Sequence, residues 1–132
     1  MEEIGAAKIQ IREDIAKIIS AVAESDITKK VSAIEDRLFE FANFLEAKIA
    51  LLYVGGENEV QTSNIIKRAY SYNKIVVLPA FDPKTFEMEL MKVDKFAQEL
   101  KSGPRGVPEP DASRCKIVPI DRIDIAIIPG IA

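Results

Sequence analysis

The spacing of apolar residues in the middle of the chain predicts a strand, a glycine turn, a helix and a second strand. Residues Lys48–Val54 are mostly apolar and favour a strand, and the pair Gly55–Gly56 follows at once. Across Gln61–Tyr72 the apolar side chains recur at helical spacing, and Asn73 suits the left-handed residue after a helix. Residues Ile75–Leu78 are wholly apolar, as expected of a strand covered on both faces. The segment therefore predicts a βαβ unit with parallel strands.

The carboxyl ends of these two strands are where we expect a ligand, as in other open α/β sheets. They are the loop Gly55–Glu59 and the turn Pro79–Phe81. The loop carries two carboxylates, Glu57 and Glu59. A helix N-terminus attracts negative charge, which is enough to explain one of them. The alternative is a carboxylate that accepts hydrogen bonds from a polar ligand, and the residues alone favour neither interpretation.

Two amphipathic helices are predicted before this unit. The first covers about Glu3–Ala23, and the second begins after an N-cap at Ser25 or Asp26. The apolar stripe of the first helix consists of Ile4, Ile11, Ile15, Ile18 and Val22. The second helix is expected to pack into the core through Val31, Ile34, Leu38, Phe41 and Leu45, with Phe39 and Phe44 broadening that face.

Two cations of the first helix, Lys8 and Arg12, lie one turn apart at the edge of its apolar stripe. Their stems can lie on the core while their charged heads reach past its rim. One interpretation is an anion clamp, since a guanidinium can hold a phosphate with two hydrogen bonds. The other is a pair of solvated surface charges, and spacing alone favours this second interpretation.

After the βαβ unit, the pattern predicts a turn at Asp82–Pro83 and a half-exposed strand at Phe86–Leu90. Met88 would share one face of this strand with Phe86 and Leu90. That face is core by default, and the alternative is the apolar wall of a pocket. A short helix is expected at Asp94–Lys101.

The next segment, Gly103–Pro110, holds three prolines and two glycines, which excludes a helix and a central strand. Such a rigid, extended loop either carries Glu109 to a fixed place or is a plain surface connection. Beyond it, Cys115–Pro119 is expected to form a short edge strand and Ile123–Ile128 a buried strand. A strand so close to the end of the sequence predicts an exposed apolar sheet edge and, through it, self-association.

The composition predicts a single α/β domain over residues 1–132, with a net charge of −3 and a pI near 5.1. We therefore expect neither nucleic acid nor a membrane surface as a partner. The absence of histidine and the single cysteine, Cys115, argue against zinc and against Cys-His or Ser-His-Asp chemistry. With no apolar signal core at the N-terminus, we expect a cytoplasmic location.

Six short motifs, in order along the chain, resemble those of the 5-formyltetrahydrofolate cyclo-ligase family, also called 5,10-methenyltetrahydrofolate synthetase. These motifs are Lys8–Arg12, Tyr53–Thr62, Val77–Pro79, Met88–Leu90, Gly106–Pro110 and Ile123–Ala132. The resemblance implies an open, mostly parallel sheet flanked by helices in three layers, of the type shared with sugar-phosphate isomerases.

The resemblance also implies an activity, the ATP-dependent cyclisation of 5-formyltetrahydrofolate to 5,10-methenyltetrahydrofolate with release of ADP and phosphate. ATP and Mg²⁺ are the cofactors that it implies. By the same resemblance, Lys8 and Arg12 would contact the phosphates of ATP. No residue is assigned a catalytic role, and no metal ligand is assigned within this chain.

For the folate, the resemblance implies contacts from Val54 and Glu59. Met88 would form a wall of the pterin pocket, and Glu109 would shape that pocket. These four residues are the predicted substrate-binding set.

One departure from the family is large. The family continues past the last motif with a glycine-rich Tyr-Tyr-Asp loop that supplies backbone N–H groups and a metal ligand, and this sequence has none. We therefore expect a C-terminally truncated, N-terminal part of a cyclo-ligase domain that does not catalyse the reaction by itself. The alternative is an inactive family remnant that binds a folate, a nucleotide or a protein partner. A different enzyme on the same broad fold fits the Glu59 and Glu109 motifs less well.

Overall fold

The structure is a computed structural model that describes residues 2–130. Within this range the helices are α1 (Glu2–Ser20), α2 (Glu24–Leu38), α3 (Ala42–Glu46), α4 (Ser63–Ser71) and α5 (Phe96–Glu99), with a 3-10 turn at Ile120–Arg122. The strands are β1 (Ile49–Leu51), β2 (Ile75–Asp82), β3 (Glu87–Val93), β4 (Leu100–Ser102), β5 (Pro108–Pro110), β6 (Lys116–Ile117) and β7 (Ile125–Ala126). None of these helices has both the length and the apolar character that crossing a membrane requires.

Five of the strands form one sheet in the order β6-β3-β2-β1-β7, and β4 pairs with β5 in a separate hairpin. Strand β1 is parallel to β2 and to β7, whereas β3 is antiparallel to both β2 and β6. Strand β6 consequently runs in the same direction as β2. The mostly parallel sheet flanked by helices that the sequence predicts is therefore confirmed.

The βαβ unit β1–α4–β2 forms where the sequence places it. Asn73 has a φ of 59°, the left-handed conformation expected after α4. Strand β2 continues four residues past its predicted end, because β3 pairs with it as far as Asp82. Pro79 is tolerated in this strand because β1 stops at Leu51, opposite Val77, so Pro79 lies beyond the part paired with β1.

The core lies on one face of the sheet, between the strands and α4. Paired positions such as Ala50–Val76 and Leu78–Met91 direct their side chains to this face. The buried cluster consists of Phe39, Phe44, Ala50, Leu52, Ile65, Ile66, Ala69, Val76, Leu78, Met91, Val93 and Cys115. The opposite face of the sheet is only partly covered, and this leaves room for a cavity.

The single second helix predicted through Leu45 is instead two helices, and its N-cap is Ala23 rather than Ser25 or Asp26. Helix α2 stops at Leu38 and α3 begins at Ala42, so the stripe expected of a continuous helix is broken. As a result Ile34, Phe41 and Leu45 are exposed, although they were expected in the core. Phe39 and Phe44 are buried in their place, with their rings edge to face at 5.1 Å between centroids.

Two cations join this helical region to the βαβ unit. Arg68 of α4 bonds to Glu35 of α2 at 3.2 Å, and its guanidinium lies 4.3 Å from the ring of Phe39. Lys74 is buried, and its Nζ donates to the carbonyls of Phe44 and Ala47 at 2.6 Å each. Burial lowers the pKa of Lys74, and the negative charge of Asp124 opposes that shift.

Helix α1 is present, but its apolar stripe does not pack on the core. Ile4, Ile11 and Ile18 are exposed, the last at 62%. Lys8 and Arg12 are also exposed, so the prediction that their stems lie on the core is wrong. The physical reason is that amphipathic spacing makes a helix able to cover a core, but tertiary contacts decide whether it does.

In the second half of the chain, the sequence pattern located most elements and misjudged several bounds. The predicted turn is found, but Phe86 belongs to it, with a φ of 58° and 80% exposure, and does not share the face of Met88. Helix α5 is shorter than expected. Strand β6 is an edge strand, as predicted. Strand β7 is not buried as expected. Among residues 2–130 only β1 pairs with it, so it is the other edge of the sheet, in line with the exposed edge that was also expected there.

Candidate functional site

A cavity of about 590 Å³ lies at the carboxyl ends of β1 and β2, on the sheet face opposite the core. Val54, Glu59, Met88 and Glu109, the predicted substrate-binding set, all line it. This volume is in the range of small-molecule sites. The structure therefore brings together four residues that are spread along the sequence from position 54 to position 109.

The wall of the cavity is apolar and comes from the sheet itself. Pro79 and Leu90 are paired across β2 and β3, and both line the cavity together with Leu51. Met88 continues this wall and is 55% exposed, so the default expectation that its face is core is wrong. A flat, apolar wall of this kind suits a planar ring.

The loop after β1 is held in place by the side chain of Thr62. Its buried hydroxyl donates to the carbonyl of Tyr53 and accepts from the N–H of Gly55 at 3.3 Å. A Cβ on Gly55 would lie 2.6 Å from the carbonyl oxygen of Val60, so only glycine allows this close approach. The loop is consequently fixed at both ends.

The carboxylate of Glu59 is oriented by the backbone of the same loop. Its Oε1 accepts a hydrogen bond of 2.8 Å from the N–H of Gly56. The neighbouring hydroxyl of Tyr53 donates to the carbonyl of Val60 at 3.2 Å. Burial raises the pKa of Tyr53, and the charge of Glu59 raises it further, so this hydroxyl remains a donor at neutral pH.

The carboxylate of Glu109 reaches the cavity from the β4–β5 hairpin and is only 3% exposed. Its Oε2 accepts a hydrogen bond of 3.2 Å from the N–H of Phe81, at the end of β2. Its Oε1 is buried and, among residues 2–130, has no hydrogen-bond partner. Of the two interpretations of this loop, the structure supports the one in which it carries Glu109 to a fixed place.

The cavity is acidic. Glu57, Glu59 and Glu109 line it, and the cation among the lining residues is Arg105. Nη2 of Arg105 lies 3.8 Å from Oε1 of Glu109, and the guanidinium lies 5.8 Å from the centroid of the Phe81 ring. Excess carboxylate disfavours a polyphosphate in this place and favours a ligand with N–H donors.

Lys8 and Arg12 are not among the residues that line this cavity. Within the part of the chain that the structure describes, this cavity therefore does not join Glu59 to the two cations expected to contact ATP. As exposed cations one turn apart, they remain suited to a phosphate. Among residues 2–130 no group of three or more acidic, histidine or cysteine side chains is placed to hold a metal ion.

Sequence reasoning did not single out Thr62, Gly103 or Arg105. Thr62 was visible only as part of the Tyr53–Thr62 motif, with no role attached. Gly103 and Arg105 were noticed only as members of a rigid loop. The available signal was a turn residue, such as Gly103, a few positions before a carboxylate, such as Glu109. Spacing alone does not say which side chains come into contact.

These features define a class of protein: an α/β domain with an open, mostly parallel sheet. At the carboxyl ends of its strands lies a cavity with an apolar wall and several carboxylates. A sequence model of the 5-formyltetrahydrofolate cyclo-ligase family matches residues 4–132. The chain belongs to that family, and the resemblance seen in the motifs is confirmed.

Individual relatives agree with this assignment. The chain is 26% identical over 136 residues to a Caenorhabditis elegans protein described as a probable 5-formyltetrahydrofolate cyclo-ligase, covering all of the chain and 66% of that protein. Among solved structures, 5,10-methenyltetrahydrofolate synthetase from Aquifex aeolicus matches 95% of the chain with a TM-score of 0.81 at 21% identity, and the chain covers 61% of it. The Mycoplasma pneumoniae synthetase matches 92% with a TM-score of 0.63 at 16% identity, and 63% of it is covered. The chain thus spans about two thirds or less of each relative.

Proposed function

We propose that this chain provides the folate-binding part of an enzyme that cyclises 5-formyltetrahydrofolate to 5,10-methenyltetrahydrofolate at the expense of ATP. The observation that carries the proposal is that Val54, Glu59, Met88 and Glu109 all line one cavity. The family motifs imply folate contact for all four, and 55 positions separate the first, Val54, from the last, Glu109.

The chemistry of the cavity suits the proposed substrate. The pyrimidine half of a reduced pterin is flat, and the edge of the ring system is rich in N–H donors. The wall formed by Pro79, Leu90 and Met88 can accept the ring face, and the carboxylates of Glu59 and Glu109 can accept its N–H groups. Val54, three residues past the end of β1, lines the cavity next to the Gly55–Glu59 loop.

In the reaction, N10 of the substrate attacks the carbon of the N5-formyl group, the N10–H proton is released to solvent, and the formyl oxygen leaves. When bound, ATP supplies the phosphoryl group that makes this oxygen a leaving group, so that it departs as phosphate. The chain's own residues hold the ring so that N10 and the formyl carbon stay in contact. They also exclude water from the apolar wall.

For the phosphates of ATP, we propose Lys8 and Arg12. This assignment is supported by their chemistry: both are exposed cations, one turn apart on α1, whose N–H groups can donate to phosphate oxygens. No Mg²⁺ ligand is assigned among the described residues.

The test is a calorimetric titration of the 132-residue chain with 5-formyltetrahydrofolate, alongside Glu59→Gln and Glu57→Gln. We expect saturable binding that Glu59→Gln weakens and Glu57→Gln largely preserves, because Glu57 is exposed and Glu59 is held by Gly56. No saturable binding by the wild-type chain would overturn the proposal.

A second candidate is a folate-binding chain without turnover. The observation in its favour is that Lys8 and Arg12 lie outside the cavity that holds Glu59. Near-ultraviolet absorbance of methenyltetrahydrofolate, measured with ATP and Mg²⁺ present, separates the two candidates. Binding with product favours the enzyme, and binding without product favours the second candidate.

A further inference from the structure

The buried carboxylate of Glu109 has one oxygen for which the protein provides no donor. Glu109 lines the cavity; its Oε2 is bonded to the N–H of Phe81, whereas its buried Oε1 has no hydrogen-bond partner among residues 2–130. A buried polar atom without a partner destabilises the folded chain, and more so when it belongs to an ionised group. An unpartnered acceptor in the wall of a ligand cavity therefore indicates a donor on the ligand.

Arg105 does not fill this role. The 3.8 Å between its Nη2 and Oε1 of Glu109 is too long for a hydrogen bond, and its side chain is about half exposed. Its charge reduces the electrostatic cost of burying Glu109, but the hydrogen-bonding position at Oε1 stays open.

Gly103 explains how the Glu109 side chain reaches this place. A Cβ at Gly103 would lie 2.5 Å from both Cγ and Cδ of Glu109 and 2.6 Å from the carbonyl oxygen of Val107. The backbone of Gly103 is not left-handed, since the described glycine with positive φ is Gly106. Space, rather than backbone conformation, requires a glycine at position 103.

We propose that Oε1 of Glu109 accepts a hydrogen bond from the exocyclic amino group of the bound pterin ring, and that Gly103 is the positioning residue that leaves room for this carboxylate. The identity of the ring rests on the proposed function. Glu109 thereby selects a ring that presents an N–H donor and rejects one that presents an oxygen in the same place, because two acceptors repel each other.

The test uses two small probes, pterin and lumazine, which differ in that an amino group of pterin is replaced by an oxygen in lumazine. Each is titrated by NMR into the ¹⁵N-labelled chain, with the Phe81 amide as a local reporter because Glu109 binds it. We expect the wild-type chain to prefer pterin by about 10-fold or more.

Glu109→Gln is the decisive variant. Its side-chain oxygen keeps the bond to the Phe81 N–H, which places an NH₂ donor where Oε1 was. The preference should therefore fall below about 3-fold or reverse, with the Phe81 resonance retained. The matched control is Glu87→Gln, which removes the same charge from an exposed residue at the start of β3 that does not line the cavity, and it should keep the preference. Gly103→Ala should shift the Phe81 resonance and weaken the preference.

Equal affinity of the wild-type chain for both probes, or an unchanged preference in Glu109→Gln, would overturn this inference. If 5-formyltetrahydrofolate still binds in that case, only the role of Glu109 fails. If 5-formyltetrahydrofolate and both probes fail to bind, the proposed function fails and takes this inference with it.

Discussion

The backbone N–H of Gly56 holds Oε1 of Glu59 at 2.8 Å, so the loop that follows β1 presents a carboxylate in a fixed orientation. A Cβ at Gly56 would lie 3.0 Å from that same oxygen, which leaves little room for a larger residue. The glycine thus both binds the carboxylate and makes space for it.

The first prediction concerns Glu59. Replacing it with glutamine removes the charged acceptor, and we expect the affinity for 5-formyltetrahydrofolate to fall roughly 10- to 100-fold, since a hydrogen bond to a charged group contributes about 1.5–3 kcal/mol. Calorimetry measures this. Glu57→Gln carries the same change of charge in the same loop and should alter the affinity less than about 3-fold. Equal losses in both variants would show that charge in general, not the oriented carboxylate, matters.

The second prediction concerns Thr62. Thr62→Val keeps the shape of the side chain but leaves the carbonyl of Tyr53 and the N–H of Gly55 without their buried partner. We expect a loss of about 1–3 kcal/mol in the free energy of unfolding, seen as a fall of roughly 3–10 °C in the thermal midpoint.

Thr28→Val is the control for that variant. Thr28 is exposed on α2, and its hydroxyl donates to the carbonyl of Glu24 within the helix. This change should stay within about 0.5 kcal/mol of wild type. A Thr62→Val chain as stable as Thr28→Val would contradict the structural role of the buried hydroxyl.

The third prediction is a pH dependence that comes from Tyr70. Its hydroxyl donates to the carbonyl of Val93, and burial, with smaller effects of Glu99 and Asp94, raises its pKa from 10.0 to about 12. Since the folded chain holds this proton more tightly than the unfolded chain, the contribution to stability is complete below pH 10 and is lost as the pH rises towards 12.

Urea unfolding of the wild type and of Tyr70→Phe over this pH range checks the sign. The difference in unfolding free energy between the two should be constant below about pH 9 and should shrink above pH 10. A difference that stays constant through the alkaline range would show that Tyr70 titrates as it does in the unfolded chain.

The fourth prediction concerns the edge strand β7, which within the described residues pairs only with β1. Ala126 is exposed on this strand, and we expect the chain to self-associate through the open edge. A lysine at Ala126 should shift the sedimentation profile towards monomer. Ala97→Lys, on the exposed side of α5, makes the same chemical change away from the edge and should leave association unchanged. A wild-type chain that is monomeric at all concentrations would contradict this prediction.

The sequence alone was enough to place β1, α4, β2 and the left-handed Asn73, because all of these depend on local spacing and backbone preference. It was also enough to choose the four residues of the cavity, because short motifs of the family mark them. It failed at α2 and α3. The apolar residues keep helical spacing across the interruption between the two helices, and no proline or glycine marks it. It failed again at Met88, since an apolar face looks the same whether it meets a core or a ligand.

What the sequence by itself determined is therefore the βαβ unit, the family and four of the residues that line the cavity. Only the tertiary structure decided that Lys8 and Arg12 do not line the cavity of Glu59, and that Glu109 keeps an open acceptor beside Gly103. The physical reason is the range of the interactions. Helix spacing and glycine turns act over a few neighbouring residues, whereas a cavity depends on distances between segments that meet only when the chain is folded.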